Sequence, residues 1–276
     1  SFMINLIIKI RKKTNKFFGG FWMFLGKNAR KILRKGFLMK STSKKIGPYG
    51  PFKMTPEFLF SNLEEWGGGH NNGFIKYVEE SKDKKCILDI GAHAGFTVLP
   101  VSINISVDAK LYAFEPSTEN IKALRKNISM NGCDNVIVEN YLVGAEENDN
   151  VSFYERDDIC ATSSIVNNIN RKFNKISKKQ ISIDSYCKDH NIKPDLIKID
   201  VEGAEIDVLR GARETISTFK PTIFLSVHPR EIIDLGYNEQ DLLNEIHMNN
   251  YKLSNIDGSE VGEFAYIEYI LKYQQK

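Results

Sequence analysis

The sequence predicts an α/β fold in which helices cover both faces of a mostly parallel sheet, preceded by a basic helical extension at the N-terminus. From residue 84 onward, short apolar strands alternate with helical segments, and this alternation is the pattern of βαβ units. A glycine-rich turn follows the first of these strands. Residues 1–45 hold 13 Lys and Arg and no Asp or Glu, whereas the remainder holds 25 basic against 35 acidic side chains. We therefore expect an acidic globular body that carries a basic arm.

The arm, residues 1–45, is predicted to form basic amphipathic helices. Its longest apolar run, residues 17–26, has ten residues, whereas a membrane-spanning helix needs about 20. Peripheral membrane contact through residues 3–40 is one interpretation, because basic amphipathic helices bind membrane surfaces. Packing of the aromatic side chains on the main domain, or on a second subunit of a homo-oligomer, is the other. The acidic body argues against binding of nucleic acid.

Residues 46–83 are predicted to form a linker or a lid, because Gly and Pro interrupt this segment repeatedly. Its most glycine-rich part reads "WGGGHNNG". An aromatic, glycine-rich loop of this kind can close over a bound molecule. Trp66 and His70 are therefore candidate residues for binding an acceptor.

Residues 84–276 are predicted to form the sheet domain. Strands are predicted at residues 86–90, 111–114, 136–143, 151–154, 181–183, 196–199, 222–227, 251–254 and 266–271. Helices are predicted at residues 117–132, 204–217 and 238–249, where capping residues and apolar periodicity coincide. Because no helix separates the last two strands, we expect them to pair as an antiparallel hairpin at one edge of the sheet.

The turn after the first strand reads "LDIGAHAGFT", residues 88–97. Gly91 and Gly95 permit close approach of the backbone to a ligand, since glycine has no Cβ. Ala92 and His93 stand where the dinucleotide-binding pattern GxGxxG requires its second glycine. The loop is therefore a candidate cofactor site that disfavours a pyrophosphate. His93 could contact the ligand, although a solvent-facing spacer is the interpretation that we favour.

Acidic residues beside this loop indicate S-adenosylmethionine, because this cofactor has no phosphate and carries an ammonium group. Asp89 closes the first strand and is placed to hold that ammonium group. Glu115, followed by Pro116, closes the next strand, where a carboxylate accepts hydrogen bonds from ribose hydroxyl groups. An apolar slot for the adenine is expected at the end of the third strand, with Leu142 and Val143 as candidates.

Four segments carry a family resemblance: "ILDIGAHAGFT", "LYAFEPSTENIKALRKNISMNG", "ATSSI" and "DLIKIDVEGAEIDVLRGARETI". Across residues 84–228 the chain resembles the FkbM family of S-adenosylmethionine-dependent methyltransferases. The resemblance implies the class I, Rossmann-like methyltransferase fold with a seven-stranded sheet, and methylation of hydroxyl groups such as those of sugars or polyketides. Ser163 lies in the "ATSSI" segment and is a candidate for acceptor binding. The chain departs from the family at Ser226, where members often carry an acidic residue.

Methyl transfer to an alcohol requires the acceptor oxygen to lie in line with the methyl group and to lose its proton. Asp200 and Glu202 follow one predicted strand and His228 follows the next, so all three are candidate catalytic residues at the carboxyl edge of the sheet. The side chain of His228 suits general-base catalysis near neutral pH. Asp200 could equally bind the cofactor's ammonium group. Glu205 either binds the acceptor or only begins a helix.

A divalent metal is a second way of activating an acceptor hydroxyl. Asp200 and Glu202 would be its oxygen ligands, and the sequence leaves metal dependence open. None of the four cysteines forms a CxxC pair, so a zinc site is not expected and the cysteines are interpreted as reduced.

The leading hypothesis is a cytoplasmic enzyme, membrane-associated if its arm binds lipid, that methylates a sugar hydroxyl of a glycan or glycolipid precursor. Methylation of an amine, or of another small-molecule hydroxyl, is the alternative within the same chemistry. A non-catalytic binding module with the same fold is an alternative of another class. The intact set of Asp89, Gly91, Gly95 and Glu115 argues against that module.

Overall fold

The computed structural model describes residues 40–156 and 173–274. The basic arm up to residue 39 and the candidate Ser163 lie outside the described residues. None of the helices in the two described ranges is long and apolar enough to cross a membrane. The chain divides into two compact units, Ser1–Glu65 and Trp66–Lys276, and every candidate site residue belongs to the second.

The described part of the first unit contains an antiparallel hairpin, in which β1 (Thr42–Ile46) pairs with β2 (Tyr49–Met54). Gly47 takes a positive φ of 54° in the turn, a conformation that glycine adopts without steric cost. A short 3₁₀ turn follows at Pro56–Phe60. The Gly and Pro residues that predicted a linker or lid from residue 46 therefore belong, at its start, to a tight hairpin.

A seven-stranded sheet forms the centre of the second unit. The strands of this unit are β3 (Cys86–Ile90), β4 (Lys110–Phe114), β5 (Val136–Glu139), β6 (Leu142–Val143), β7 (Asn148–Glu155), β8 (Asn174–Ile181), β9 (Leu196–Ile199), β10 (Thr222–Ser226), β11 (Tyr251–Ser254) and β12 (Glu268–Tyr273). The order in the main sheet is β11-β12-β10-β9-β3-β4-β5. β12 runs antiparallel to β10 and β11, and the other pairs are parallel. This topology confirms the predicted sheet with its antiparallel C-terminal hairpin.

The strand order changes direction between β3 and β9, because β4 and β5 lie on one side of β3 and β10 lies beyond β9. Open α/β sheets bind their ligands in the crevice at the carboxyl ends of such strands. The two loops that were predicted to be functional meet there. The backbone N–H of Asp200, after β9, donates to the carbonyl oxygen of Ile90, at the end of β3, over 2.9 Å.

The helices of the second unit differ from the prediction at one break and in several additions. They are α1 (Phe74–Ser81), α2 (Val98–Asn104), α3 (Thr118–Asn131), α4 (Ile183–Asp189), α5 (Glu205–Arg210), α6 (Arg213–Phe219), α7 (Pro229–Asp234) and α8 (Glu239–Met248). α5 and α6 replace the single helix predicted over residues 204–217. The chain breaks at Gly211, which packs so closely on the carbonyl oxygen of Gly144 that a Cβ would collide with it.

The third strand of the sheet is shorter than predicted, since β5 ends at Glu139 instead of residue 143. The side-chain amide of Asn140 donates to the carbonyl oxygens of Glu115 at 2.8 Å and Pro116 at 3.2 Å. These bonds hold the chain where it leaves the sheet. Leu142 and Val143 instead form β6, which pairs with β8 in a separate three-stranded sheet. Their predicted place at the end of the third main-sheet strand was therefore wrong.

Charged side chains interrupt the apolar core at the carboxyl ends of the strands. Burying a charge is costly unless the charge is paired, so such residues are informative. The side chains that are at most 2% exposed there are Asp89, Lys198, Glu205, His228 and Glu268. These buried charged side chains make the carboxyl edge of the main sheet the candidate region for a functional site.

Candidate functional site

The glycine loop after β3 is tied to the end of β4 by its own backbone. The N–H groups of Gly91 and Ala92 both donate to the carbonyl oxygen of Phe114 over 2.9 Å. Gly91 has a φ of 93°, and a Cβ at this position would overlap the carbonyl oxygen of Asp200. Glycine is therefore required both for the backbone angle and for the close approach of the loop to the turn after β9.

Replacing Gly91 with Ala is expected to lower the free energy of unfolding by at least about 2 kcal/mol, because backbone strain and a displaced carbonyl group add together. Gly132 provides a matched control, since it also has a positive φ of 66° but would place its Cβ in open space. Gly132→Ala should cost only about 1 kcal/mol. Urea unfolding of both variants measures the difference, and equal losses would contradict the role given to the Asp200 carbonyl.

Glu115 holds the entrance of α3 and the glycine loop together. Its Oε1 accepts from the N–H of Ser117 at 2.8 Å and from the Nδ2 of Asn120 at 3.3 Å, and its Oε2 accepts from the N–H of His93 at 2.8 Å. Burial raises the pKa of Glu115 to about 7, against the opposing effect of these hydrogen bonds. Oε2 keeps capacity for a further donor, as the predicted contact with ribose requires.

His93 is not the solvent-facing spacer that the sequence analysis favoured. Its ring is half-buried and lies 5.1 Å from the ring of Phe96, measured between centroids. The residue has a positive φ of 48°, and this conformation directs its N–H to Glu115. His93 therefore shapes the loop, and Pro116, which follows Glu115 in the chain, is half-buried.

Asp89 is fully buried beneath the glycine loop. Its Oδ2 accepts a hydrogen bond from Thr97 Oγ1 over 2.6 Å, whereas its Oδ1 has no hydrogen-bond partner among the described residues. Burial raises the pKa of Asp89, and the charge of Lys198 opposes that rise. An unsatisfied buried carboxylate oxygen at a strand end is the kind of acceptor that a cationic ligand group would satisfy.

Lys198 and Glu268 complete a buried charge network that the sequence analysis missed. Lys198 Nζ lies 2.7 Å from Asp200 Oδ2 and 3.6 Å from Glu268 Oε1. Burial lowers the pKa of Lys198, but the surrounding carboxylates of Asp200, Glu268 and Asp89 outweigh it, so the pKa is raised overall. The one signal in the sequence was a lysine inside the apolar strand "LIKI", where a buried cation needs an anionic partner.

Glu268 places a carboxylate beside Ser226, the position at which the sequence departs from the family pattern. The two residues pair directly across β10 and β12, and Ser226 Oγ lies 3.4 Å from Glu268 Oε1. Glu268 Oε2 accepts the N–H of Gly73 at 2.8 Å, and burial raises the pKa of Glu268 to about 7. Glu268, on the neighbouring antiparallel strand β12, thus places a carboxylate beside the end of β10.

His228 lies at the centre of three carboxylates that the sequence analysis singled out. Its Nδ1 is 2.7 Å from Glu205 Oε1, and its Nε2 is 3.6 Å from Asp200 Oδ1 and 3.8 Å from Glu202 Oε2. Burial lowers the pKa of His228, but the hydrogen bond to Glu205 and the neighbouring charges raise it to about 9. The raised pKa favours the protonated imidazole near neutral pH, and a general-base role for His228 stays a prediction.

The carboxylates around His228 differ in their protonation. Burial raises the pKa of Asp200, but Lys198 and His228 outweigh it and lower that pKa to about 2. Burial raises the pKa of Glu202 to about 7, with His228 opposing the rise. Glu205 is fully buried and also accepts the N–H of Gly203 at 3.0 Å. Of this group, Glu202 alone combines partial exposure, 18% of its side chain, with a pKa near neutrality.

An aromatic group borders the same crevice. The rings of His70 and Tyr266 stack with centroids 4.4 Å apart, and the rings of Tyr266 and His228 make a T-shaped contact with centroids 5.0 Å apart. Trp66 contacts Phe96 of the glycine loop at 4.9 Å. The structure thus brings the two predicted aromatic candidates to the crevice, Trp66 beside the glycine loop and His70 beside the carboxylates. Tyr266 was predicted only as part of a strand, yet it lies in the loop before β12.

The residues of the predicted adenine slot lie outside the main sheet, in β6. Val143 is 4% exposed and packs in the apolar core, and Leu142 is 8% exposed. The end of β5 instead carries Glu139, whose Oε1 accepts a hydrogen bond from Tyr186 over 2.8 Å. A contact of Leu142 or Val143 with adenine stays a prediction.

Across residues 40–156 and 173–274, no group of three or more His, Cys, Asp or Glu side chains is arranged to hold a metal ion. Asp200 and Glu202, the predicted oxygen ligands, both face His228 Nε2. Lys198, His228 and His70 are positive groups that lower the pKa of Asp200.

Two comparisons of sequence place these residues in a wider context. The profile of the Methyltransferase FkbM domain matches residues 89–262. The hexuronic acid methyltransferase AglP of Haloferax volcanii is 27% identical over 176 residues, which cover 61% of this chain and 68% of that protein. The residues matched by the FkbM domain include the loop from Gly91 to Gly95, Glu115, Lys198 and His228, but not Glu268.

Two solved structures show a distant similarity of fold. Methyltransferase FkbM from Methylobacillus flagellatus has a TM-score of 0.43 and 20% identity, over 68% of this chain and 43% of that one. The chain thus spans less than half of that protein. The SAH-bound methyltransferase PaMTH1 of Podospora anserina has a TM-score of 0.45 and 12% identity, over 75% of this chain and 78% of that one.

Proposed function

The chain belongs to the FkbM methyltransferase family, and we propose that it transfers the methyl group of S-adenosylmethionine to a sugar hydroxyl of a glycan or glycolipid precursor. The observation that carries this proposal is the convergence of the glycine loop, Glu115 and the His228 carboxylate cluster at one edge of the sheet. The relative from Haloferax volcanii, a hexuronic acid methyltransferase, supports a sugar as the acceptor class.

The residues of the crevice fit S-adenosylmethionine by their chemistry. The free Oδ1 of Asp89 and the carboxylate of Asp200 suit a ligand that carries an ammonium group. Glu115 Oε2 suits the ribose hydroxyls, and the loop from Gly91 to Gly95 gives the backbone access that a bound nucleoside needs. When bound, the cofactor supplies an activated methyl group, and the remaining work of the protein is to position and deprotonate the acceptor.

We assign the general-base role to Glu202 in place of His228. A general base works best with a pKa near the operating pH, and the pKa of Glu202 is about 7. His228, with its pKa at about 9, instead provides a fixed positive charge between Asp200 and Glu202. Glu205 holds the ring of His228 in place through Nδ1. Asp200 stays ionised and orients the cofactor or the acceptor oxygen.

Replacing Glu115 with Gln is expected to weaken binding of S-adenosylhomocysteine about tenfold or more, because hydrogen bonds to a charged acceptor contribute roughly 1.5–3 kcal/mol. Glu147→Gln makes the same chemical change on an exposed turn and should leave the affinity unchanged. Isothermal titration calorimetry of both variants measures the effect. Absence of binding by the unmodified protein would contradict the proposed function itself.

A further inference from the structure

We propose that the acceptor site selects an uncharged sugar ring, placed against Tyr266, and rejects a sugar that carries a carboxylate. This inference rests on the proposed methylation of a sugar hydroxyl and specifies the acceptor of that same site. It concerns a residue, Tyr266, that neither the glycine loop nor the cluster around His228 includes.

The position of Tyr266 is the first part of the argument. The side chain remains 49% exposed although His70 stacks on its ring. Its ring lies 5.0 Å from the ring of His228, measured between centroids, at an interplanar angle of 64°. Tyr266 is thus an aromatic surface that reaches from solvent to the proposed catalytic cluster. Aromatic rings of this kind combine an apolar face with a polar edge, and a sugar likewise presents apolar C–H faces between its hydroxyl groups.

The charge around Tyr266 is the second part. Burial raises the pKa of Tyr266, and the carboxylates of Glu202, Asp200, Glu231 and Glu205 raise it further. The two buried cations nearby are already engaged, Lys198 with Asp200 at 2.7 Å and His228 with Glu205 at 2.7 Å. The hydroxyl groups of a neutral sugar can donate hydrogen bonds to these carboxylates, which act only as acceptors when ionised.

A sugar carboxylate would bring a like charge to this cluster. Like charges that are forced together weaken binding strongly, and repulsion of this sort is a common source of specificity. The site therefore differs in its preference from the hexuronic acid methyltransferase of Haloferax volcanii. The preference for a neutral or a charged sugar depends on the charges of individual side chains, so membership of the family does not decide it.

The test of charge selection uses a matched panel of p-nitrophenyl hexosides and the corresponding p-nitrophenyl hexuronides. Each compound is incubated with S-adenosylmethionine and read by the mass gain of one methyl group. We expect kcat/KM for the best neutral hexoside to exceed that of its hexuronide at least about tenfold. Glu231→Gln removes one neighbouring charge and keeps the size of the side chain. It should therefore lower the ratio of kcat/KM for the hexoside to kcat/KM for the hexuronide.

The role of Tyr266 is tested with two variants and a control. Tyr266→Ala should raise KM for the neutral hexoside about tenfold with kcat changed less, and Tyr266→Phe should restore most of the affinity because the ring is kept. Met248→Ala, at a position 67% exposed on α8, serves as the control. Affinity for S-adenosylhomocysteine should be the same in all of these proteins.

The outcomes separate this inference from the proposed function. Equal or faster methylation of the hexuronides, or an unchanged KM in Tyr266→Ala, would overturn the inference while the sugar methyltransferase stands. Transfer to no sugar by a protein that binds S-adenosylhomocysteine would overturn the sugar acceptor and the inference together. Failure to bind S-adenosylhomocysteine would overturn the proposed function at its first step.

Discussion

Replacing Glu202 with Gln is expected to reduce kcat about 10²- to 10⁴-fold, the range that a positioned general base contributes. The amide keeps the size of the side chain but cannot take the proton of the acceptor hydroxyl. Binding of S-adenosylhomocysteine should be unaffected, since Glu202 lies beside His228 and is assigned to the acceptor and not to the cofactor. The measurement is the rate of methyl transfer to the best hexoside of the panel at saturating cofactor.

The pH dependence gives this prediction a second readout. Glu202 must be deprotonated to act, and its pKa is about 7, so kcat/KM should rise as the pH passes through about 7. His228 must be protonated to keep its charge, and its pKa is about 9, so the rate should fall above that value. The charges that face Glu202 are those of His228, Asp200, Glu231 and Glu205. Glu202→Gln should lose the lower limb of this profile and keep the upper one.

A control separates the loss of the base from the loss of a charge. Asp207→Asn removes a carboxylate from α5, where Asp207 Oδ1 accepts a hydrogen bond from Tyr237 over 2.8 Å. That pair lies apart from the contacts of His228, so activity should be retained. If His228→Gln lost the lower limb while Glu202→Gln kept it, His228 would be the base and our assignment would be wrong.

Replacing Lys198 with Met is expected to lower the free energy of unfolding by about 3–5 kcal/mol, the usual cost of removing one partner from a buried ion pair. Lys198 is 2% exposed, and Asp200 and Glu268 would lose the cation between them. Lys252→Met, at an exposed position on β11, is the matched control and should change stability by less than about 0.5 kcal/mol. Urea unfolding measures both.

The sign of the pH effect follows from Asp200. Its pKa is lowered from 3.8 to about 2 in the folded protein, so its contribution to stability is present above pH 3.8 and is lost as the pH falls toward 2. Lys198→Met removes the main cause of that lowering, and the acid-dependent loss of stability in this window should become smaller. The double variant with Asp200→Asn should recover part of the lost stability. If the double variant lost as much stability as Lys198→Met alone, the ion pair between Lys198 and Asp200 would contribute nothing to stability.

The sequence alone determined the fold class and the positions of the cofactor loop. Strand and helix periods, together with the capping residues Ser117 and Gly132, are local signals, and the structure reproduces the helix between them. The glycine loop and the acidic residues at the strand ends are equally local, because a parallel sheet necessarily places its carboxyl ends along one edge. The family was recognisable from the same short segments.

Only the tertiary structure decided how the charges are shared. Glu268 bonds to Gly73 across 195 positions of the chain, and Lys198 bridges carboxylates from strands that are far apart in sequence. Tyr266 reaches the crevice through a loop whose position depends on β12 pairing with β10. A pKa depends on burial and on every neighbouring charge, so no local pattern could show that the neighbours of His228 raise its pKa while burial raises that of Glu202. Sequence periodicity specifies which residues end a strand, but their protonation is a property of the neighbours that folding assembles around them.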